Sequence, residues 1–310
     1  MNPSSVFTGV TVAIVGPTAV GKTDLSLDLA QALDGEVINA DSMQFYRGMD
    51  IGTAKVPFSD RRSIPHHMID IADVRDATNV SDYQIQAREC IAELHARGKA
   101  AILVGGSGLF INAVLDDMQF PEVDHALRDR LNAEAEKVGV DAMFARLVAL
   151  DADAASNVSP KNLRRIIRAL EVIELTGSAP NTSLPELAEI VPAYRIGLKR
   201  DRAELDVRIE QRVELMWQQG LVAEVEELEQ QGLREGLTAS RALGYHQVLA
   251  ALAGECSMEQ AKIDTVVSTR RYVRRQESWW RRDKKIDWFD AATITPEELV
   301  VNVRSHFENT

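Results

Sequence analysis

The octapeptide GPTAVGKT at Gly16–Thr23 constrains this chain more than any other feature. It satisfies G-x-x-x-x-G-K-[ST] at every fixed position and stands where such loops work. Before it runs VTVAIVG (Val10–Gly16), apolar enough for a strand covered on both faces. After it comes DLSLDLAQAL, whose Leu25, Leu29 and Leu33 mark one face of a helix. Glycine at 16 and 21 lets the backbone wrap a small anion with its N–H groups turned inward. The start of the helix adds its positive dipole end. Lys22 adds a cation, and the Thr23 hydroxyl can bind Mg²⁺ or a phosphate oxygen. The whole loop (Gly16, Pro17, Thr18, Ala19, Val20, Gly21, Lys22 and Thr23) is the candidate site for a diphosphate or triphosphate, with or without a nucleoside attached. A chance match in a tight turn is the alternative.

The next segments repeat the strand-then-helix rhythm. Strands are expected at Glu36–Ala40, at His66–Ile71 (HHMIDI) and at Ala100–Val104, with a helix over Asp82–Arg97. Alternation of this kind predicts an α/β fold with a parallel sheet and right-handed crossovers. Ligands bind such sheets outside the carboxyl ends of the strands. Gly16–Thr23, Asp41-Ser42 and the GGSG turn at Gly105–Gly108 all fall on that edge. From Asp116 the rhythm changes: Asp124–Leu150 and Pro160–Thr176 read as helices with no strand between, followed by the looser SAPNTSLPEL. Residues 116–192 are therefore expected to form a helical insertion, and Ala193–Leu198 a return to the core comprising 1–115 and 193–310. Helices dominate from Asp201 onward.

Two cysteines, Cys90 and Cys256, form no CxxC or His/Cys cluster, so two reduced thiols in a cytoplasmic protein are expected rather than a disulfide framework or zinc site. No apolar stretch approaches the roughly 20 residues of a membrane span. MNPSSVFTG has neither the basic nor the apolar region of a secretory signal. The net charge of −12 argues by itself against a nucleic-acid partner, since phosphate contacts need cations. The average conceals RRYVRRQESWWRRDKK (Arg270–Lys285), where eight basic residues meet two acidic ones, and local potential decides where a polyanion lands.

Tyr272, Trp279 and Trp280 interleave with those arginines, a pattern suited to stacking bases while guanidinium groups hold phosphates. An amphipathic helix with its tryptophans in a core is the competing reading. Lys161, Arg164, Arg165 and Arg168 form a second basic cluster, in the insertion. Asp41 is a candidate general base or metal-organising carboxylate, or else the cap of a helix starting at Ser42. Glu204, Arg208 and Arg212 lie four apart, either as a solvated ion-pair ladder or with Arg208 turned toward a leaving diphosphate.

Taken together, GPTAVGKT, INADSMQFYRGMDIGTAK, PHHMIDI, GGSGLFINAV, NLRRIIRALEV, RALGYHQ and RRQESWW resemble bacterial tRNA dimethylallyltransferases, the tRNA isopentenyltransferase family, in order and approximate spacing from about residue 10 to 282. The resemblance implies a P-loop kinase-like parallel sheet core with a helical insertion domain that contacts tRNA. It implies transfer of a dimethylallyl group from dimethylallyl diphosphate, with Mg²⁺ as cofactor, to N6 of the adenine just 3′ of the anticodon (tRNA position 37), in tRNAs reading codons that begin with U. The protein is expected to act as a monomer on the anticodon stem-loop. Asp41 matches the family's general base, while Thr23, Lys22 and Arg208 match the groups that steady the diphosphate, with Ser107 beside them. Asp41, Ser42, Met43 and Gln44, then Arg164, Arg165 and Arg168, match stretches that touch tRNA. So do Ser240, Arg241, Gly244 and Tyr245, together with Arg274, Arg275, Gln276, Trp279 and Arg281. Ser107 and Phe110 stand where GGTGLY is usual, and Arg274 with Glu277-Ser278 alter a segment usually closer to KRQxTW. A nucleoside or nucleotide kinase explains the loop but not the tryptophan-rich basic segment. A nucleotide-dependent RNA-binding switch is the remaining alternative, though no NKxD guanine-reading motif is present.

Overall fold

A computed structural model describes residues 7–121, 124–178 and 187–308. Two compact units divide the chain: Met1–Asp116 with Glu189–Thr310, and Asp117–Ala188.

In the first unit the apolar run after Val10 forms β1 (Thr11–Val15), and α1 (Lys22–Ala32) follows the glycine loop. β2 (Gly35–Asn39), the two-residue β3 (His66–His67), α2 (Val80–Ala96) and β4 (Ala100–Val104) come next, then α3 (Gly108–Leu115). HHMIDI was expected to be a strand throughout. It ends after His67 because Met68 and Asp70 take left-handed conformations, φ 58° and 57°, which no strand accommodates.

The second unit holds α4 (His125–Leu150), α5 (Ala152–Ser156) and α6 (Leu163–Thr176). α4 breaks at Gly139, whose φ of 84° and ψ of 166° lie outside any helix. Its core joins Leu131, Met143 and Leu147 to Ile166 and Leu170. Most of SAPNTSLPEL, residues 179–186, lies outside the described residues, as do residues 1–6 of the N-terminal stretch.

The chain returns to the first unit through β5 (Tyr194–Lys199), followed by α7 (Arg202–Gln218), α8 (Leu221–Gln230), α9 (Tyr245–Leu252) and α10 (Met258–Trp280). β6 (Ile286–Asp290) and α11 (Pro296–Glu308) complete it. β6 was not expected from the sequence. Its five residues follow four cations and alternate only partly, so the charge run obscured the strand.

All six strands are parallel, in the order β3-β2-β4-β1-β5-β6. Alternate residues of β1 feed opposite faces: Ala13 and Val15 join the cluster under α2 and α3, whereas Val12 and Ile14 join that under α1, α7 and α11. Arg195 on β5, 1% exposed, is held by Asp116 at 2.6 Å, Asp283 at 2.8 Å and Glu189 at 2.9 Å. Asp116 and Glu189 stand where the chain leaves and re-enters this unit.

Candidate functional site

The loop after β1 is shaped by constraints that only its own sequence meets. Gly16 adopts φ 140°, and a Cβ there would lie 2.6 Å from the Leu198 carbonyl oxygen of β5. Ala19 takes φ 64°, and Gly21 (φ 113°) caps α1. Lys22 Nζ donates to the carbonyls of Gly16 (3.0 Å) and Pro17 (2.7 Å) across the loop. Burial, then the nearby Arg212 guanidinium, pushes the Lys22 ammonium down to about 7, against the opposing pull of Asp41. Two further side chains hold the loop from outside: Arg208 Nε donates to Ala19 O at 2.8 Å, and Gln276 Oε1 accepts the Thr18 N–H at 3.0 Å.

Asp41 follows β2 by two residues. Asn39 grips it through both ends of its amide, accepting the Asp41 N–H at 3.0 Å and donating to the Asp41 carbonyl at 3.0 Å and to Met68 O at 2.9 Å. One carboxylate oxygen, Oδ1, accepts the Met43 N–H at 3.0 Å. No helix begins at Ser42; the segment is a series of turns, so Asp41 closes an Asx turn instead of capping a helix.

These elements enclose a cavity of about 360 Å³. Thr18, Ala19, Gly21, Lys22 and Thr23 form one wall, Asp41 and Gln44 another, and Gly105 and Gly106 a third. Arg208, Gln211 and Arg212 of α7 and Tyr272 and Gln276 of α10 close it, and Val37, Ala54, Val56, Ile69 and Val104 add apolar surface. The volume suits a small ligand, near the lower end of the ~300–1,000 Å³ of typical ligand pockets. One end is cationic and rich in backbone N–H groups, and a carboxylate faces it. That arrangement can hold an anionic leaving group while accepting a proton from an attacking nucleophile.

Several expected residues stand elsewhere. Val20 is fully buried in the core beside α1, and Gly16 and Pro17 support the loop without lining the cavity. Ser107 caps α3 from outside the cavity, where Gly105 and Gly106 take the place expected of it. Ser42 and Met43 lie in the turns beyond Asp41 and do not line it either. Tyr245 is fully buried, its hydroxyl donating to Glu224 Oε1 at 2.5 Å, and Glu224 Oε2 accepts the Ile51 N–H at 2.8 Å. Its side chain braces the MDIG loop, so the expected RNA contact is corrected to an internal support. Gly244 is the buried N-cap of α9, and Ser240 donates to Gly236 O at 2.6 Å, while Arg241 is exposed.

Arg274 and Arg275 of α10 and Arg281 just beyond it are exposed, whereas Gln276 is 5% exposed and Trp280 fully buried. Trp280 can stack no base. Trp279 is half-buried, donates from Nε1 to Asn112 Oδ1 at 2.9 Å, and with Arg274, Arg275, Ser278 and Arg282 lines a shallow second cavity. The Glu204–Arg208–Arg212 ladder does not form: Glu204 pairs with Arg200. In the helical unit Arg164 and Arg165 are exposed on α6, while Arg168 pairs with the buried Glu171 at 2.9 Å and donates to Pro121 O.

Arg212 and Asn39 are the functional side chains that sequence reasoning left unassigned, and Tyr272, singled out there for base stacking, lines the cavity. Spacing from Arg208 places Arg212 one turn along the same face of α7, a usable signal. The Tyr272 hydroxyl is held well above its usual value by burial and by the Asp41 charge, so it faces the cavity as a protonated donor. Only the folded loop reveals the part of Asn39.

A parallel α/β sheet with a strand–phosphate-loop–helix edge and an adjoining carboxylate defines a P-loop protein with a site for a phosphate-bearing ligand. The chain matches the IPP transferase family over residues 44–283. It is 54% identical over 290 residues to a tRNA dimethylallyltransferase of Thermobifida fusca, covering 91% of each chain, and 52% identical over 288 residues to one of Streptomyces coelicolor. Among solved structures it resembles a tRNA isopentenylpyrophosphate transferase of Bacillus halodurans at 38% identity and TM-score 0.70, over 97% of this chain and 96% of that one. It also resembles a eukaryotic dimethylallyltransferase acting on tRNA, at 26% identity and TM-score 0.82, over 97% and 80%. The chain belongs to the IPP transferase family.

Proposed function

We propose that the protein transfers a dimethylallyl group from dimethylallyl diphosphate to N6 of the adenine at position 37 of tRNAs reading codons that begin with U, releasing diphosphate, as a cytoplasmic monomer with Mg²⁺ as cofactor. The observation that carries this reading is that Asp41 and the phosphate loop share one cavity, with Arg208 and Arg212 beside them.

The exocyclic amine of adenine is a weak nucleophile because its lone pair is delocalised into the ring. Asp41 accepts a proton from N6 as the nitrogen attacks C1 of the donor, the N–C bond forming while the C1–O bond breaks. The electron pair of that bond leaves on the diphosphate. Loop N–H groups, Lys22 and Arg208 face the charge as it grows there, usually the largest electrostatic contribution in such sites. Asn39 and the Met43 N–H keep the carboxylate oriented for this step.

Among the described residues no group of three or more His, Cys, Asp or Glu could hold a metal by itself. Mg²⁺ needs no such group, because it keeps several waters and is bound through one or two protein groups plus substrate phosphates. Thr23, at the start of α1 on the cavity wall, is its protein ligand in this reading. When bound, the ion neutralises charge on the departing diphosphate. Adenine must leave its stack to reach Asp41, at a cost of a few kcal/mol. The exposed arginines of α10 and α6 supply phosphate contacts that offset it.

Incubating a tRNA transcript with the protein, dimethylallyl diphosphate and Mg²⁺, then digesting to nucleosides, tests the reading by mass spectrometry. N6-isopentenyladenosine at position 37 is expected. Unmodified tRNA overturns the proposal, and phosphate transfer from labelled ATP in a parallel reaction would reassign the protein as a kinase.

A further inference from the structure

Gln276 lies on α10 between exposed arginines, yet its carboxamide points the other way, into the donor cavity. Both ends are engaged: Oε1 accepts the Thr18 N–H at 3.0 Å, and Nε2 donates to the Gly106 carbonyl at 3.0 Å. The fit leaves no slack, since a Cβ on Gly106 would come within 2.1 Å of Nε2. One side chain thus ties the loop after β1 to the loop after β4, although the residues joined are 258 and 170 positions away in sequence. Tyr272, one turn earlier on α10, lines the same cavity.

From this geometry we infer that Gln276 is a positioning residue of the donor site: it latches the phosphate loop in its anion-binding shape and makes no contact with RNA. The loop binds anions only while successive N–H groups converge, and Thr18 is the residue where the chain turns from Gly16 toward the left-handed Ala19. Pinning the Thr18 amide fixes the peptides on either side of it before substrate arrives, which is the preorganisation that electrostatic catalysis requires. Without Gln276 a buried N–H and a buried carbonyl lose their partners, and the loop relaxes to find others. The inference rests on the proposed activity only in calling the anion a prenyl diphosphate.

Two variants test it. Gln276→Met keeps the side-chain volume and removes both hydrogen bonds. Gly106→Ala displaces the amide from the opposite side and leaves α10 unaltered, so it decides the matter if the first variant does not fold. Three quantities are measured: the Kd of inorganic diphosphate with Mg²⁺ by calorimetry, the KM for dimethylallyl diphosphate at saturating tRNA, and the tRNA Kd with its salt dependence by fluorescence anisotropy. The expected result is a roughly tenfold rise in diphosphate Kd and donor KM, equivalent to about 1.4 kcal/mol, with tRNA Kd and salt slope within twofold of the parent. An unchanged diphosphate Kd, or a loss of tRNA affinity as large as that for diphosphate, overturns the inference. Parent protein that binds diphosphate without modifying tRNA would sink the activity reading instead, because the titration needs no turnover.

Discussion

Lys22 illustrates how a single residue carries opposing demands. Its ammonium is needed for an anion, yet in the ligand-free protein burial and Arg212 hold it near 7, far below the ordinary lysine value. The unfolded chain then binds one more proton than the folded one from about pH 7 up to the ordinary lysine value, so this group makes stability rise with pH across that window. Lys22→Met abolishes that rise: the variant's melting temperature relative to the parent is expected to be most favourable at pH 6 and least favourable near pH 10, read by calorimetry. Binding an anion raises the Lys22 value again, so diphosphate affinity of the parent should weaken as pH climbs above about 7. Asp41 supports a separate expectation. Asp41→Asn keeps the turn's acceptor for the Met43 N–H but not the base, and should lower transfer by about 10²-fold or more with tRNA Kd nearly unchanged. Equal turnover would remove Asp41 from the mechanism.

At the scale of elements, the phosphate loop and α10 differ in how well the sequence announced them. The loop was legible because its glycines, lysine and threonine are required at fixed offsets by backbone geometry that does not depend on the rest of the fold. Gly16→Ala should destabilise by about 1–3 kcal/mol in urea unfolding, since the new Cβ meets the Leu198 carbonyl and a φ of 140° is one that a side chain disfavours. Over α10 the sequence leaves two readings, a basic, aromatic surface for RNA and an amphipathic helix with its tryptophans in a core, and Trp280 follows the second. Val273, Gln276 and Trp280 recur at intervals of three and four, the spacing of a buried stripe, and all three are buried. Interleaved charge hid that period. What remained illegible was pairing at long range: Tyr245 against Glu224 and Asn39 against Asp41 involve ordinary residue types that acquire a part only once loops meet.

For the molecule as a whole, net acidity and an RNA partner are reconciled by segregation of charge. Arg274 and Arg275 stay exposed on α10, whereas other arginines are consumed by carboxylates, as Arg195 and Arg128 are. Affinity for tRNA should therefore fall steeply with salt. Replacing Arg274 and Arg275 by serine should flatten the slope of log K against log salt by about 0.7–1 per residue, with the KM for the donor unaffected. A slope identical to that of the parent would exclude this face of α10 as the docking surface.

The strand order carries a consequence for biosynthesis. β1, translated first, sits mid-sheet between β4 and β5, with Val12 beside Tyr194, and β6 is added beyond β5. A nascent chain that has already emitted its glycine turn still lacks Arg208 of α7 and Tyr272 and Gln276 of α10, which close the chamber that turn opens into. The ribosome must deliver the chain through α10 before any anion can be captured, so capture waits on the emergence of Gln276.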